Sequence, residues 1–137
     1  MQQHVSALLV YGELGPLDAL REPLQRQSLS VGRARTCNEA RHLMEATQPH
    51  VVFTDCRLPD GTWADVVRCG ETGDVPSNVI VVSAKEDMKL YIKARESGAF
   101  DFIMTPFEEA GLNHVVKHAV SNALARRNDT KFFRAAS

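Results

Sequence analysis

The chain has no CxxC pair, and its three cysteines, Cys37, Cys56 and Cys69, are odd in number. Both facts speak against a disulfide framework or a cysteine zinc site and suit a reducing compartment. Net charge is also lacking: 16 Lys and Arg against 17 Asp and Glu leave -1. Bulk attraction to nucleic acid or to an anionic membrane is therefore not expected. The N-terminal stretch MQQHVSALLVYG has no basic leader, and its apolar run is too short for a signal peptide or a membrane span. The expectation is a soluble, cytoplasmic protein with no nucleic-acid and no membrane partner. No glycine-rich GxGxxG or GxxxxGKS/T loop follows the first apolar run, which counts against a flavodoxin-like hydrolase or a nucleotide-binding protein.

What is present is an ordinary globular balance over 137 residues, 44% hydrophobic and 24% charged, enough for one domain with a proper core. Apolar strand-like runs lie at Val5 to Val10, Val51 to Phe53 and Val79 to Val82, with shorter ones near Leu29 to Ala34 and Phe100 to Met104. Helical patterns separate them. Leu17, Leu20 and Leu24 share a face of the first helix; Pro16 suits its first turn, and Pro23 is expected to kink or shorten it. Thr36 and Glu39 form a capping-box signature for the second helix, which Pro49 stops. The third runs from Trp63 to Cys69. The fourth ends at Ser97, with Gly98 as a left-handed terminator, and the fifth runs from about Glu108 into Arg127.

Five strands alternating with five helices imply an α/β fold, a parallel sheet covered on both faces by right-handed crossovers. Residues 1–125 make up this domain, and 126–137 form a polar, basic tail or a helix extension. In such sheets functional groups gather beyond the carboxyl ends of the strands. Tyr11, Gly12, Glu13, Asp55, Ser83 and Thr105 fall there.

Four segments, ALLVYGE, VVFTDCRLPDG, VIVVSAKED and GAFDFIMTPF, occur in an order and spacing that resemble the response-regulator receiver domain of two-component signalling, over roughly residues 5 to 125. The resemblance implies a flavodoxin-like (βα)5 fold with strand order 2-1-3-4-5. It also implies that Asp55 is the phosphoacceptor, with Pro59 in its loop, that Ser83 and Phe102 are the switch pair, and that Pro106 follows the position of a lysine. That position holds Thr105. The acidic pair that holds magnesium in the family is replaced by Tyr11 and Gly12, so all three expected charges are missing.

Phosphoryl transfer to a carboxylate depends on positioning and charge neutralisation. Magnesium needs hard oxygen ligands in near-octahedral geometry, and Asp55 alone is a thin site. Glu13 is either a compensating acid or a solvated loop residue. Tyr11 either fills the pocket or is an ordinary strand-end aromatic. Ser83, Phe102 and Thr105 have plain structural alternatives as a loop cap, a core aromatic and a cap for the last helix.

The resulting expectation is an atypical, phosphorylation-independent, non-enzymatic receiver with no cofactor. It would act as a protein interaction module through the fourth helix, fifth strand and fifth helix. Its partners would be a histidine kinase or output protein of a two-component pathway, or a second copy in a homodimer. The alternative is a phosphoryl-accepting regulator in which Glu13 completes a magnesium site with Asp55.

Three other features read as structural. His114 and His118 lie four apart without a metal-binding motif, Cys56 alternates away from Asp55 into packing, and Arg126, Arg127, Lys131 and Arg134 with Phe132 and Phe133 read as a frayed basic end.

Overall fold

Three near-continuous apolar segments become the centre of a sheet because their side chains are buried on both faces. β1 (Ser6–Val10), β3 (Val51–Thr54) and β6 (Asn78–Ser83) lie side by side, flanked by β2 (Ser30–Ala34) and β7 (Asp101–Met104). All four pairings are parallel, in the order β2-β1-β3-β6-β7. Counting these five strands alone, the order is 2-1-3-4-5, the expected flavodoxin-like arrangement. The computed structural model describes residues 5–12, 17–73, 75–84 and 87–136, with side chains to residue 128. Glu13, Pro16, Lys131, Phe132, Phe133 and Arg134 lie outside the described residues or side chains.

Strand alternation divides the core in two. Ala7, Leu9, Val51, Phe53, Ile80, Val82 and Ile103 face α1 (Asp18–Arg26) and α5 (Glu109–Ala136), meeting Leu20, Leu24, Leu112 and Val116. Leu8, Val10, Val52, Val79 and Val81 face the other helices, α2 (Cys37–Thr47), α3 (Trp63–Thr72) and α4 (Met88–Glu96). Each fully buried Leu, Ile or Val contributes roughly 1.5–3 kcal/mol.

Pro23 sits inside α1 and does not end it. Proline removes one backbone hydrogen bond from a helix, but here it is buried with Leu20 and Leu24, and that burial offsets the loss. α2 ends at Gln48 in the left-handed region, φ 48°, just before Pro49. Gly98 takes φ 102°, as expected of a terminator after α4. α3 runs three residues beyond Cys69, to Thr72. It begins at Trp63 as expected, behind a cap not read from the sequence, the capping box of Thr62 and Asp65.

The last helix continues to Ala136, the helix extension of the two alternatives for residues 126–137. Arg126 and Arg127 do not fray. Arg127 donates to the carbonyls of Gln48 at 2.9 Å, Pro49 at 2.8 Å and Pro76 at 3.2 Å. Arg126 donates to Asn78 Oδ1 at 2.8 Å, and the Asn78 amide donates to Ala119 O and Asn122 Oδ1. The buried amide is thus satisfied at both ends, as a polar group in a core must be.

Candidate functional site

β1, β3, β6 and β7 are neighbours, so their carboxyl ends form one continuous rim. Pairing extends just past each strand. Asp55 N donates to Val10 O at 3.0 Å, Tyr11 N to Ala34 O at 2.8 Å, and Thr105 N to Ser83 O at 2.9 Å. These bonds bring Tyr11, Gly12, Asp55, Ser83 and Thr105 to the same end of the sheet.

Asp55 is buried, 7% exposed, and its Oδ2 accepts the backbone N–H of Gly12 at 2.8 Å. Burial pushes its carboxyl above the ordinary 3.8, and the Gly12 N–H works in the opposite direction. Gly12 is tightly enclosed. A Cβ built there would overlap the Arg57 carbonyl and come within 3.2 Å of both Cβ and Oδ2 of Asp55.

Tyr11 packs with the α1 and α5 side of the core. Among the described residues its buried hydroxyl makes no well-formed hydrogen bond, with Asp18 the polar side chain that acts on it. Burial raises its pKa, and the charge of Asp18 adds to that. The ring lies on the same side of the sheet as Leu9, toward α1 and α5.

Ser83 is buried at the end of β6. Cys56 lies against the same strand, its Sγ directed at Val82 O at 3.4 Å, and burial raises its thiol pKa while contact with Ser83 opposes the rise. Phe102 is half-buried against the α2, α3 and α4 side and meets Tyr91 edge-on, ring centroids 5.8 Å apart. Thr105 is half-buried and joined to Pro106 by a cis peptide. It does not cap α5: Leu112 N donates to Glu108 O, and the helix starts at Glu109, four residues beyond Thr105.

The segment after Asp55 is a folded unit that the sequence reading took for a plain loop. Arg57–Leu58 (β4) and Gly61–Thr62 (β5) pair antiparallel, with Pro59 and Asp60 at the turn. Asp60 reaches back to the start of α2, Oδ1 accepting Cys37 N at 2.6 Å and Oδ2 accepting Asn38 N at 3.0 Å. Thr36 Oγ1 takes Glu39 N at 3.0 Å, and Thr36 O takes Ala40 N. All four first-turn donors of α2 are thereby satisfied. Those two N–H groups hold the Asp60 carboxyl below its usual range. Cys37, beside it, has its thiol pushed up to about 12, first by burial and then by Asp60 and Asp65. It is not an activated nucleophile.

Among the described residues no cluster of three or more His, Cys, Asp or Glu could hold a metal ion. His114 and His118 are both exposed, and the His118 ring rests edge-on against Phe100, 5.2 Å between centroids. A cleft of about 610 Å³ opens at the opposite end of the sheet, with Asn78, Ala99 and Val79 at its floor and Arg95 and His118 on its walls.

The response regulator receiver domain model matches residues 12–117. The chain belongs to that family. It is a receiver of two-component signalling. It is 32% identical over 114 residues to the response regulator protein PilR of Pseudomonas aeruginosa, covering 83% of this chain and 26% of PilR. The chain spans less than half the length of each of the first curated relatives it matches. The signal receiver domain of an HD domain-containing protein from Pseudomonas fluorescens superposes with TM-score 0.81 at 19% identity, covering 93% of this receiver and 95% of that chain. The receiver domain of the Pseudomonas aeruginosa sensor histidine kinase PA1611, with magnesium coordinated in its active-site cleft, superposes with TM-score 0.74 at 17% identity, covering 87% and 99%. Among the described residues, no helix is long and apolar enough to cross a membrane.

Proposed function

We propose that this receiver is a phosphorylation-independent interaction module of a two-component pathway. The observation that carries this reading is the surface beside Phe102. Met88, Tyr91 and Ile92 on α4 and Met104 on β7 are 65, 41, 47 and 44% exposed. Large apolar side chains gathered on one side of a small domain mark a contact surface more than a solvated one. On this reading the face made by α4, β7 and α5 docks a cytoplasmic pathway protein, a histidine kinase or an output partner, or a second copy of the chain. The receiver itself catalyses no reaction. Tyr11, Gly12 and Thr105, which supply no charge where the family's acids and lysine stand, support the loss of the phosphate-driven switch.

A second reading keeps Asp55 as a working acceptor with Glu13 as the replacement acid. What favours it is the place of Asp55 itself, a buried carboxylate at the carboxyl end of β3 in reach of a backbone N–H. Incubation with excess magnesium and phosphoramidate, read by intact mass beside Asp55→Ala, separates the two. Unmodified protein, with an ordinary receiver fully modified in the same buffer, supports the interaction module. An adduct that requires Asp55 and the metal sinks it. Sedimentation of Ile92→Asp against the parent then tells whether the apolar face joins two copies.

A further inference from the structure

We infer that the acceptor loop of this receiver is shut by its own backbone, and that Gly12 is the residue that allows the closure. The inference rests on the receiver reading above, but it concerns why the site takes no cation rather than what the module binds. Missing acids alone would leave an open, weak site. The geometry is different.

Gly12 occupies the position of an acid in the family, yet there is no room at that position for a methyl group. A Cβ would run into the Arg57 carbonyl, which is backbone and cannot swing away like a side-chain tip. One of the two Asp55 carboxylate oxygens, Oδ2, already accepts the Gly12 N–H. A divalent ion with a near-octahedral shell of oxygens and waters needs several ångströms of clear space beside the carboxylate. Here Gly12 lies against that side of Asp55, with the Arg57 carbonyl packed on Gly12. Among the described residues Asp55 belongs to no group of three or more His, Cys, Asp or Glu that could hold a metal ion, and the space beside Gly12 is taken by backbone, a poor fit for magnesium.

The rest of the loop is fastened where it lies. The β4 and β5 pair folds it on itself, and Asp60 ties its turn to the first two N–H groups of α2. The Thr62 and Asp65 capping box joins its end to α3, and Trp63 N donates to Cys56 O at 3.2 Å. Gly61 is a second close approach. A Cβ there would meet the Asp65 carboxylate and lie 2.8 Å from Cys37 Sγ. Opening the loop by the width of a hydrated cation would break several of these contacts together.

The inference predicts that putting the acid back does not restore the site. Hydrogen exchange of amides 56–62 and calorimetric titration with Mg2+ should be measured on the parent, Gly12→Ala and Gly12→Asp. In the parent, exchange should be slow and unchanged by millimolar Mg2+. In Gly12→Ala the same amides should exchange at least about tenfold faster, because closure is lost locally. Gly12→Asp should melt lower and bind no Mg2+. The inference is overturned if Gly12→Ala exchanges and melts like the parent, or if Gly12→Asp binds Mg2+. Should Gly12→Asp fail to fold, the Gly12→Ala exchange still decides. Phosphorylation of the parent would remove the proposed function, whereas the loop exchange reads the closure independently.

Discussion

Asp60 accepts the backbone N–H of Cys37 at 2.6 Å across 23 residues of sequence, so the turn of the acceptor loop serves as part of the cap of α2. Its carboxyl is held below the usual range by that bond and by Asn38 N. A depressed pKa means that the contribution is present above the unfolded value and fades as pH falls through it. Asp60→Ala should therefore melt lower than the parent at pH 7, with the gap closing toward pH 3. A gap of constant size across that range would show that the charge is not involved.

Asp55 has the opposite sign. Burial raises its carboxyl above 3.8, so the folded state holds the proton more tightly than the unfolded chain. Its contribution is favourable below the unfolded value and declines as pH climbs toward the folded one. Asp55→Asn keeps an oxygen for the Gly12 N–H and carries no charge. It should melt above the parent at neutral pH and alongside it in acid. Thermal melts at both ends of the range check this.

Arg127 holds three carbonyls at the other end of the molecule, joining the end of α2 and the segment before β6 to α5. Truncation leaves part of that group of acceptors without its donor. Arg127→Ala should cost on the order of 2 kcal/mol in urea unfolding. Arg127→Lys should recover little of it, since an ammonium does not present the planar fork of donors that spans the three oxygens.

Gly98 combines a φ of 102° with a Glu71 carboxylate lying where a Cβ would stand. Gly98→Ala should destabilise by about 1–2 kcal/mol through the backbone conformation. Glu71→Ala in the same background should relieve only the smaller, steric part. Full recovery in the double variant would place the cost in the side-chain contact.

The sheet was legible because its three inner strands are apolar on both faces, and because Gly98 and Pro49 mark helix ends by local chemistry. The rim positions of Tyr11, Gly12, Asp55, Ser83 and Thr105 followed from those strand ends. The acceptor loop was not legible. Asp60 was visible in the LPDG motif, but its partners are the N–H groups of another helix. The spacing of Thr62 and Asp65 did carry a capping signal that could have been read. Arg126 and Arg127 looked like solvated charge because their acceptors lie 48 to 79 residues away in sequence. The enclosure of Gly12 depends on a carbonyl on another strand, and nothing in the local sequence reports it.

Trp63, the chain's single tryptophan, stands at the head of α3, half-buried, with its backbone N–H on the carbonyl of Cys56. The chain thus carries one indole, placed where the acceptor loop enters its helix and excited selectively over Tyr11 and Tyr91. Emission colour and quenching report on that junction alone, undiluted by indoles elsewhere. Solution changes around Asp55 can therefore be followed optically without attaching a dye or altering a residue.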